Sequence, residues 1–558
     1  MSLITSALTP TAGLRRPAQT VVAPTAFYLA VMVLKAPAVC LAISSLALMA
    51  GAMHGPKGNR VTGIFNFDNT YARLGRNYSQ AQNPSAVAEP RWIAWNDTLA
   101  ERLGWPIDWR GNDMALAALA GNDQLPGADP IATVYAGHQF GSYNPKLGDG
   151  RAVLLGELVT PDGARFDVQL KGAGPTPFSR GGDGRSPMGP VVREYLVSEA
   201  MSALGVPTSR ALAAVASGEP VYRNGAEPGA VLTRIASSHL RIGSVQFFAM
   251  SQGGDGLSEL IDYTVSRHFP VALEAAIAND PNATAASVLL DKTGQALASL
   301  VAQWQGLGFI HGVLNTDNML LCGETIDYGP CAFMDDYDSA KVFSAIDTQG
   351  RYAYRNQPGI VHWNLSVLAQ CLLPLLADDT DTALALAQAT VDRFPDQFGA
   401  IHEAILAAKF GLDRFSANDR PLVDQFFRAL SEDKLDFTLA FRWLTEQASG
   451  AVDHSPLPEL FEPSAKLRDW QNDWQDRRGR NKAPDELSVS TMQRSNPVVI
   501  PRNHQIAQAI ADAEHNNFET LTSLNKRWQK PFSWQSGDHI IAAPPTAEEV
   551  VQRTFCGT

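Results

Sequence analysis

The stretch His311-Gly-Val-Leu-Asn-Thr-Asp317-Asn318, followed by Asp327-Tyr328-Gly329, decides the fold of this chain. Asp317 and Asn318 are adjacent, and Asp327 stands nine residues beyond Asn318. In phosphoryl-transfer enzymes an Asn and an Asp from two such loops hold the metal of a metal–nucleotide complex, and a further Asp accepts a proton. The two stretches therefore predict a nucleotide site built on one loop and the turn that follows it.

The spacing matches the catalytic loop of protein kinases except at one position. That loop reads H-R-D-x-x-x-x-N, with the Asp as base and the Asn on a metal, and a D-F-G turn follows it. Aligning His311 and Asn318 with this pattern puts Val313 at the position of the catalytic Asp, whereas a carboxylate stands at Asp317. The chain keeps the residues that hold Mg-nucleotide and lacks the usual base. It is therefore either catalytically inactive or carries out different chemistry on ATP.

A hairpin and a helix upstream supply the Lys and the Glu that a kinase-like N-lobe requires. The apolar run Arg151–Gly156, the turn Pro161-Asp162-Gly163 and the alternating run Phe166–Lys171 predict two strands, with Lys171 at the end of the second. A helical pattern from Val191 to Leu204 carries Glu194 in its first half. In kinases this Lys contacts the nucleotide phosphates and pairs with such a Glu.

Arginines and glycines around these elements indicate phosphate binding. The segment Gly172–Ser186 is rich in glycine and contains two Arg, so it offers close backbone approach and bidentate side-chain donors. A flexible surface loop is the alternative interpretation. Arg234 and Arg241 lie seven residues apart, which puts both on one face of a helix or lets them converge from an irregular segment. Two Arg besides Lys171 exceed the need of an ordinary kinase and favour a triphosphate held differently.

The chain resembles the selenoprotein O family from about residue 61 to the end. The matching motifs are Phe65–Thr70, Tyr135–Gly141, Leu147–Arg151, Gln169–Gly174, His311–Met319, Asp327–Pro330 and Asn356–Pro358. The resemblance implies an α+β, protein-kinase-like two-lobed fold with a β-rich N-lobe and a helical C-lobe. It also implies that ATP binds in a flipped orientation and that AMP passes to Ser, Thr or Tyr hydroxyls of proteins, with release of pyrophosphate.

The resemblance implies a role for each matching residue. Asp317 would accept the proton, while Asn318 and Asp327 would bind Mg²⁺, with Mn²⁺ as an alternative. Lys171, Arg234 and Arg241 would contact the phosphates. The other residues expected at the nucleotide are Gly148, Gly150, Arg151, Asp183, Gly184, Glu194 as the partner of Lys171, and the metal ligand Asp327.

Composition narrows the partners. The chain has 558 residues, 45% of them hydrophobic and 18% charged, which is ordinary for a globular protein. A formal net charge of −12 argues against nonspecific nucleic-acid binding. We expect protein substrates, with self-modification open, no nucleic acid and no membrane partner. Two alternatives to adenylylation remain: a phosphotransferase that uses Asp317 as a displaced base, and an ATP-binding pseudokinase scaffold without turnover.

The expected domain organisation has four parts. Residues 1–60 form an N-terminal extension, either a targeting segment or an overextended start, because the motifs begin at Phe65. Residues 61–245 form the N-lobe and 246–450 the C-lobe, with helices predicted at 287–308, 362–377, 381–395, 397–410, 421–431 and 435–448. Residues 451–558 form a C-terminal extension that ends near Cys556, for which a redox role is open. We expect a cytoplasmic protein, with targeting left open by the apolar N-terminal segment.

Overall fold

The structure is a computed structural model that describes residues 65–223, 225–251, 256–450 and 455–554. The predicted extension over residues 1–60 and the terminal Cys556 therefore lie outside the described residues.

Two classes of element alternate along the chain. The described strands are β1 (Ser79–Ala81), β2 (Arg91–Trp95), β3 (Ile131–Thr133), β4 (Gly137–Gln139), β5 (Ser142–Asn144), β6 (Ala152–Val159), β7 (Arg165–Lys171), β8 (Ser186–Pro187), β9 (Arg210–Tyr222), β10 (Ala226–Ala236), β11 (Phe309–Ile310) and β12 (Ala332–Phe333). The described α-helices are α1 (Asp97–Arg102), α2 (Asp113–Ala120), α3 (Met188–Ala203), α4 (Ile242–Met250), α5 (Leu257–His268), α6 (Pro270–Asn279), α7 (Ala285–Leu307), α8 (Gln357–Leu376), α9 (Thr380–Asp392), α10 (Phe394–Phe410), α11 (Arg420–Glu432), α12 (Phe437–Ser449), α13 (Leu457–Leu460), α14 (Ala465–Arg478), α15 (Asp485–Ser495), α16 (Asn503–Glu514), α17 (Glu519–Trp528) and α18 (Asp538–Ile541). The fold is α+β, as predicted.

The first half of the described chain contains an eight-stranded antiparallel sheet. Its order is β1-β3-β6-β7-β10-β9-β2, with β8 paired to the side of β10. Strand β6 is apolar and buried along most of its length because both faces of the sheet are covered. Val153 packs into the cluster that α1 and α2 form on one face, whereas Leu154 packs into the cluster of α3 and α7 on the other.

Helix α7 leads to the buried loop of residues 311–318, which we call the central loop. It begins at a capping box, in which the Thr284 side chain accepts a hydrogen bond from the Ser287 amide at 3.1 Å. It ends at Gly308, whose φ of 69° is left-handed and stops the helix. Strand β11 follows at once and pairs with β12. Residues 311–331, which carry the motifs, therefore begin and end side by side.

Helix α3 is buried on nearly all sides. It packs on β9 and β10 and is covered by α16 and α17 from the C-terminal part of the chain. Arg193 donates from Nη1 to Asn503 Oδ1 at 2.8 Å, which ties α3 to the start of α16. The C-terminal extension is therefore part of the support of α3.

The predicted helices correspond to α7 through α12, with ends shifted by a few residues. Sequence periodicity missed α4, α5 and α6, which lie between the sheet and α7. Helix α6 is apolar along most of its length, so its apolar residues do not single out one face of a helix. Trp470 and Trp474 of α14 pack in the core of the C-terminal helices, as expected.

One described segment, Tyr354–Leu376, which contains α8, is long and apolar enough to cross a membrane. Half of its apolar window is buried inside the protein, and α8 packs on α4, α7 and α9. These contacts are those of a core helix.

Lys409 of α10 is buried in the apolar core of the C-terminal helices. It is 2% exposed, its Nζ lies 4.2 Å from the centre of the Phe441 ring, and it donates to Ser495 O at 3.3 Å. Among the described residues no carboxylate forms an ion pair with it. Burial lowers the pKa of Lys409 from 10.5 to about 7. The unfolded chain therefore binds this proton more tightly, and stability rises as pH increases from about 7 to about 10.5.

We predict that Lys409→Met stabilises the protein near neutral and acid pH, because it removes a buried charge. At about pH 6 the gain in free energy of unfolding is about 1–4 kcal/mol, and at about pH 10 most of it is lost. Melting temperatures of wild type and variant at both pH values test this. Lys526→Met, at an exposed position of α17, is the control and changes stability by less than about 0.5 kcal/mol. An equal gain at both pH values contradicts the prediction.

Candidate active site

The predicted hairpin is present and delivers Lys171 to the interior. Strands β6 and β7 pair antiparallel, and Lys171, the last residue of β7, lies between Ala152 of β6 and Leu232 of β10. Its Nζ is 2.6 Å from Glu194 Oε2 on α3. The ion pair expected from the sequence is therefore formed in the structure.

Lys171 also contacts the Asp327-Tyr328-Gly329 turn. Its Nζ lies 2.7 Å from Asp327 Oδ1, so one ammonium group holds both a helix carboxylate and a loop carboxylate. Asp327 has a φ of 62°, a left-handed conformation unusual for a residue with a side chain. This backbone turns its carboxylate back toward the sheet.

Arg234 is the second cation of the cluster and the most heavily engaged. It is opposite Gln169 in the β10–β7 register, and its Nη1 donates to Gln169 Oε1 at 3.2 Å. Its Nε and Nη2 both donate to Glu194 Oε1, at 2.8 and 2.5 Å, and Nη2 also lies 2.7 Å from Asp327 Oδ1. The side chain is almost wholly buried. We call Lys171, Glu194, Arg234 and Asp327 the ion cluster.

The cations around Asp327 and Glu194 lower the pKa values of these two carboxylates. Burial alone would raise the pKa of Asp327, but Lys171, Arg234 and Arg241 outweigh it and hold that pKa well below the usual range. Burial also raises the pKa of Glu194, but Arg234 and Lys171 outweigh this effect, so the pKa of Glu194 is lowered. Both carboxylates are therefore ionised at neutral pH, matched by two nearly buried cations.

Arg241 joins the ion cluster to the central loop. It precedes α4, its Nη1 donates to Asp317 O at 2.9 Å, and its Nε donates to His239 O at 3.2 Å. Its guanidinium stacks on the Tyr135 ring at 4.3 Å and stands 3.9 Å from Asp327 Oδ2. Arg234 ends up on a strand and Arg241 at a helix start, and both converge on Asp327.

The central loop is held by its own polar residues. His311 is fully buried, and its Nε2 contacts Ile326 O at 2.8 Å, just before Asp327. The Thr316–Asn318 turn is a short 3-10 helix, and Asn318 Nδ2 donates to Val313 O at 3.0 Å. Val313, at the position of a kinase base, is an apolar side chain that is buried.

Asp317 presents a buried carboxylate beside this turn. Its Oδ2 accepts a hydrogen bond from Gln139 Nε2 at 3.2 Å, and its Oδ1 is buried without a partner among the described residues. Burial raises the pKa of Asp317 to about 6, against the opposing effects of Arg241 and Gln139. A carboxylate with such a pKa is suited to accept a proton near neutral pH.

The glycine-rich segment packs on the turn between β5 and β6. Gly148 has a φ of 87°, and a Cβ there would lie 2.4 Å from the Phe178 ring, so the two loops stay together only without a side chain. Thr176 Oγ1 donates to Asp149 O at 2.7 Å, and Arg151 O accepts from the Gly172 amide at 2.7 Å. Gly150 and Gly184 lie in the same pair of loops.

Asp183 was predicted to lie at the nucleotide, but its contacts lie outside the ion cluster. Its two carboxylate oxygens each accept a hydrogen bond from Arg223 at 2.9 Å, and the Arg185 amide donates to it at 2.9 Å. None of these partners belongs to the ion cluster. A role of Asp183 at the nucleotide stays a prediction.

Sequence reasoning gave no role to Gln139, Tyr135 and Gln169, which contact Asp317, Arg241 and Arg234 respectively. Tyr135 and Gln139 lie in the motif Tyr135–Gly141, to which no function was assigned, and Gln169 is the first residue of the motif Gln169–Gly174.

A cavity of about 470 Å³ lies far along the chain, between α11 and α14, and is lined by both acidic and basic residues. Within residues 65–223, 225–251, 256–450 and 455–554, no group of three or more His, Cys, Asp and Glu side chains is arranged to hold a metal ion.

Comparison with known proteins gives a consistent result. The family model of protein adenylyltransferase SelO matches residues 63–529. A protein nucleotidyltransferase YdiU of Maridesulfovibrio salexigens is 48% identical over 500 residues, which cover 89% of this chain and 99% of the relative. Proteins of the same name from Rhizobium rhizogenes and Rhodopseudomonas palustris are 48% and 47% identical, over 88% of this chain and 97% and 99% of their own lengths.

We predict that Glu194→Gln destabilises the protein, because it leaves Arg234 and Lys171 buried with one carboxylate instead of two. Removing one partner of a buried ion pair lowers the free energy of unfolding by about 3–5 kcal/mol, which thermal or urea unfolding measures. Glu219→Gln is the matched control. Glu219 is 3.7 Å from Arg185 and 38% exposed, so its loss changes stability by less than about 1 kcal/mol. Equal effects of the two changes contradict the structural importance of the ion cluster.

Proposed function

We propose that this chain, which belongs to the protein adenylyltransferase SelO family, transfers AMP from ATP to Ser, Thr or Tyr hydroxyls of proteins. The protein is a nucleotidyltransferase, ATP is its substrate, and proteins are its acceptors.

One observation carries the proposal. At the position of a kinase base the chain has the apolar Val313, while the carboxylate of Asp317 stands on the same loop, next to the ion cluster. Asp317 is linked to that cluster through Arg241, which contacts both Asp317 O and the Asp327 carboxylate. A proton acceptor and a group of cations therefore face one region, as nucleotidyl transfer to a hydroxyl requires.

The fold supports a kinase-like, two-lobed arrangement. The eight-stranded sheet and α3 carry Lys171 and Glu194, and the helical remainder carries the central loop and Asp327. We propose residues 61–245 as the N-lobe, 246–450 as the C-lobe and 451–558 as an addition that supports α3.

Lys171, Arg234 and Arg241 are proposed to bind the triphosphate. In the structure these cations neutralise Asp327 and Glu194. Phosphate oxygens are the natural replacement for the Asp327 carboxylate, because both are anions that accept several hydrogen bonds. The glycine-rich loops with Gly148, Gly150, Arg151 and Gly184 are proposed to cover the nucleotide, and Asp183 to line its edge.

The oxygen donors at this site suit Mg²⁺, with Mn²⁺ as the alternative. Asp327 and Asn318 are proposed to hold the ion, because hard divalent cations prefer carboxylate and amide oxygens together with substrate phosphates. The side chain of Asp327 is 25% exposed, against 3% for Arg234, so it is the accessible member of the ion cluster. When bound, the ion neutralises charge on the phosphates.

The reaction then follows from the positions of the side chains. The oxygen of the acceptor hydroxyl attacks the α-phosphorus of ATP, and Asp317 takes the proton of that hydroxyl. The bond from the α-phosphorus to the bridging oxygen of the β-phosphate breaks, and pyrophosphate leaves with that electron pair. Lys171, Arg234 and Arg241 stabilise the charge that develops on the leaving group. The flipped orientation puts the α-phosphate at the reacting position.

We predict that label from α-³²P-ATP enters protein and label from γ-³²P-ATP does not. Asp317→Asn lowers transfer by about a hundred- to ten-thousand-fold, the usual contribution of a general base, and leaves Mg-ATP binding intact. Asp327→Asn abolishes transfer and also weakens Mg-dependent ATP binding. Incorporation of γ-label identifies a phosphotransferase, and incorporation of neither label identifies a scaffold; both outcomes contradict the proposal.

We predict that wild type binds ATP more tightly than AMP and that Arg234→Lys and Arg241→Lys reduce this preference. Lys offers one point charge, whereas each Arg here donates in several directions, so the preference falls about ten- to a hundred-fold. Calorimetric titration with both nucleotides measures it, and Arg428→Lys on the exposed side of α11 is the control. If both variants keep the wild-type preference, the triphosphate is not held by these arginines.

A further inference from the structure

The short hairpin of β4 and β5 lies directly on the central loop. The His138 amide donates to Thr316 Oγ1 at 2.7 Å, and the Phe140 amide donates to Asn315 Oδ1 at 3.0 Å. These two contacts flank Gln139 on the strand. They hold the backbone of β4 against the loop on both sides of that residue.

Both anchors are themselves held in place. Asn315 Oδ1 also accepts from the Tyr352 hydroxyl at 2.6 Å, and His138 Nδ1 is 2.8 Å from Gln246 Nε2 on α4. The hairpin therefore joins the loop to α4 and to the segment before α8. Its position relative to Asp317 is determined by contacts that do not involve Gln139.

The side chain between the anchors reaches the carboxylate. Gln139 Nε2 donates to Asp317 Oδ2 at 3.2 Å, whereas Asp317 Oδ1 is buried without a partner among the described residues. Gly137 lies on the other side. A Cβ at Gly137 would be 2.7 Å from Oδ1 and 3.0 Å from the Asp317 Cβ, so a side chain there would push the carboxylate away.

We propose that Gln139 is a positioning residue for Asp317: its hydrogen bond to Oδ2 fixes the orientation of the carboxylate that accepts the proton. This inference rests on the proposed function of Asp317 as the proton acceptor. Gly137 completes the arrangement, because its missing side chain leaves the space that Oδ1 occupies.

A primary amide suits this task better than the other side chains of similar length. It donates to a carboxylate without carrying a positive charge, so it lowers the proton affinity of Asp317 less than a cation in the same place would. A Lys or Arg would neutralise the carboxylate, and a Glu would repel it. Met has nearly the same length and no donor, and therefore isolates the hydrogen bond from the packing.

The test compares Gln139→Met and Gln139→Glu with wild type in AMP transfer to an acceptor protein and in self-modification. We expect Gln139→Met to lower kcat about ten- to a hundred-fold, the factor that a hydrogen bond to a charged group supplies. KM for ATP stays within about twofold, since Gln139 does not contact the ion cluster. Gln139→Glu has the same shape and is expected to be slower still. Gln124→Met, in the exposed turn before β3, is the control and keeps wild-type kcat.

A double-mutant cycle separates positioning from a purely structural role. In the background of Asp317→Asn, single-turnover transfer with labelled ATP should be changed less than about twofold by Gln139→Met, because the group through which Gln139 acts is gone. Loss by the same factor in both backgrounds, or wild-type kcat in both Gln139 variants, overturns the inference. Full activity of Asp317→Asn alone would instead overturn the proposed function, so the two failures are distinguishable.

Discussion

Asp327 is held between Lys171 and Arg234, and the site depends on this interaction. The two cations also bind Glu194, so a strand end, a helix and a loop meet at four charged groups with distances of 2.5–2.7 Å. Two charges separated from water are stable only when their hydrogen bonds are complete, and here almost every donor is engaged. The ion cluster therefore holds the sheet next to the loop that carries Asp327. It also brings together the cations that are proposed to bind the triphosphate.

Segments far apart in the chain support this cluster. Helix α3, which carries Glu194, is covered by α16 and α17, and Arg193 contacts Asn503 across that interface. Thr554, the last described residue, donates from Oγ1 to Pro330 O at 2.6 Å, directly after the Asp327-Tyr328-Gly329 turn. The C-terminal part of the chain thus contacts both the helix that carries Glu194 and the residue that follows the Asp327-Tyr328-Gly329 turn.

Local patterns predicted the elements of the site and the contact of Lys171 with Glu194. They did not predict the other contacts between these elements. Alternation and turn residues placed Lys171 at a strand end, and helical spacing placed Glu194 on α3, because these signals depend on neighbours in sequence. The contact of Gln139 with Asp317 joins residues 178 positions apart through a three-residue strand, which is too short to show a period. Likewise no local pattern shows that Asp183 pairs with Arg223, 40 positions further along the chain. Such pairings are set by strand register and loop packing.

The most direct test of this account is a crystal structure of the protein with Mg²⁺ and a non-hydrolysable ATP analogue. If Lys171 and Arg234 bind the phosphates and Asp327 binds the metal, the Asp327 carboxylate will contact the metal instead of these two cations. Both cations will then contact phosphate oxygens, and the α-phosphate will lie nearest Asp317. A structure in which Lys171 and Arg234 keep their contacts with Asp327 while the triphosphate binds elsewhere would contradict it.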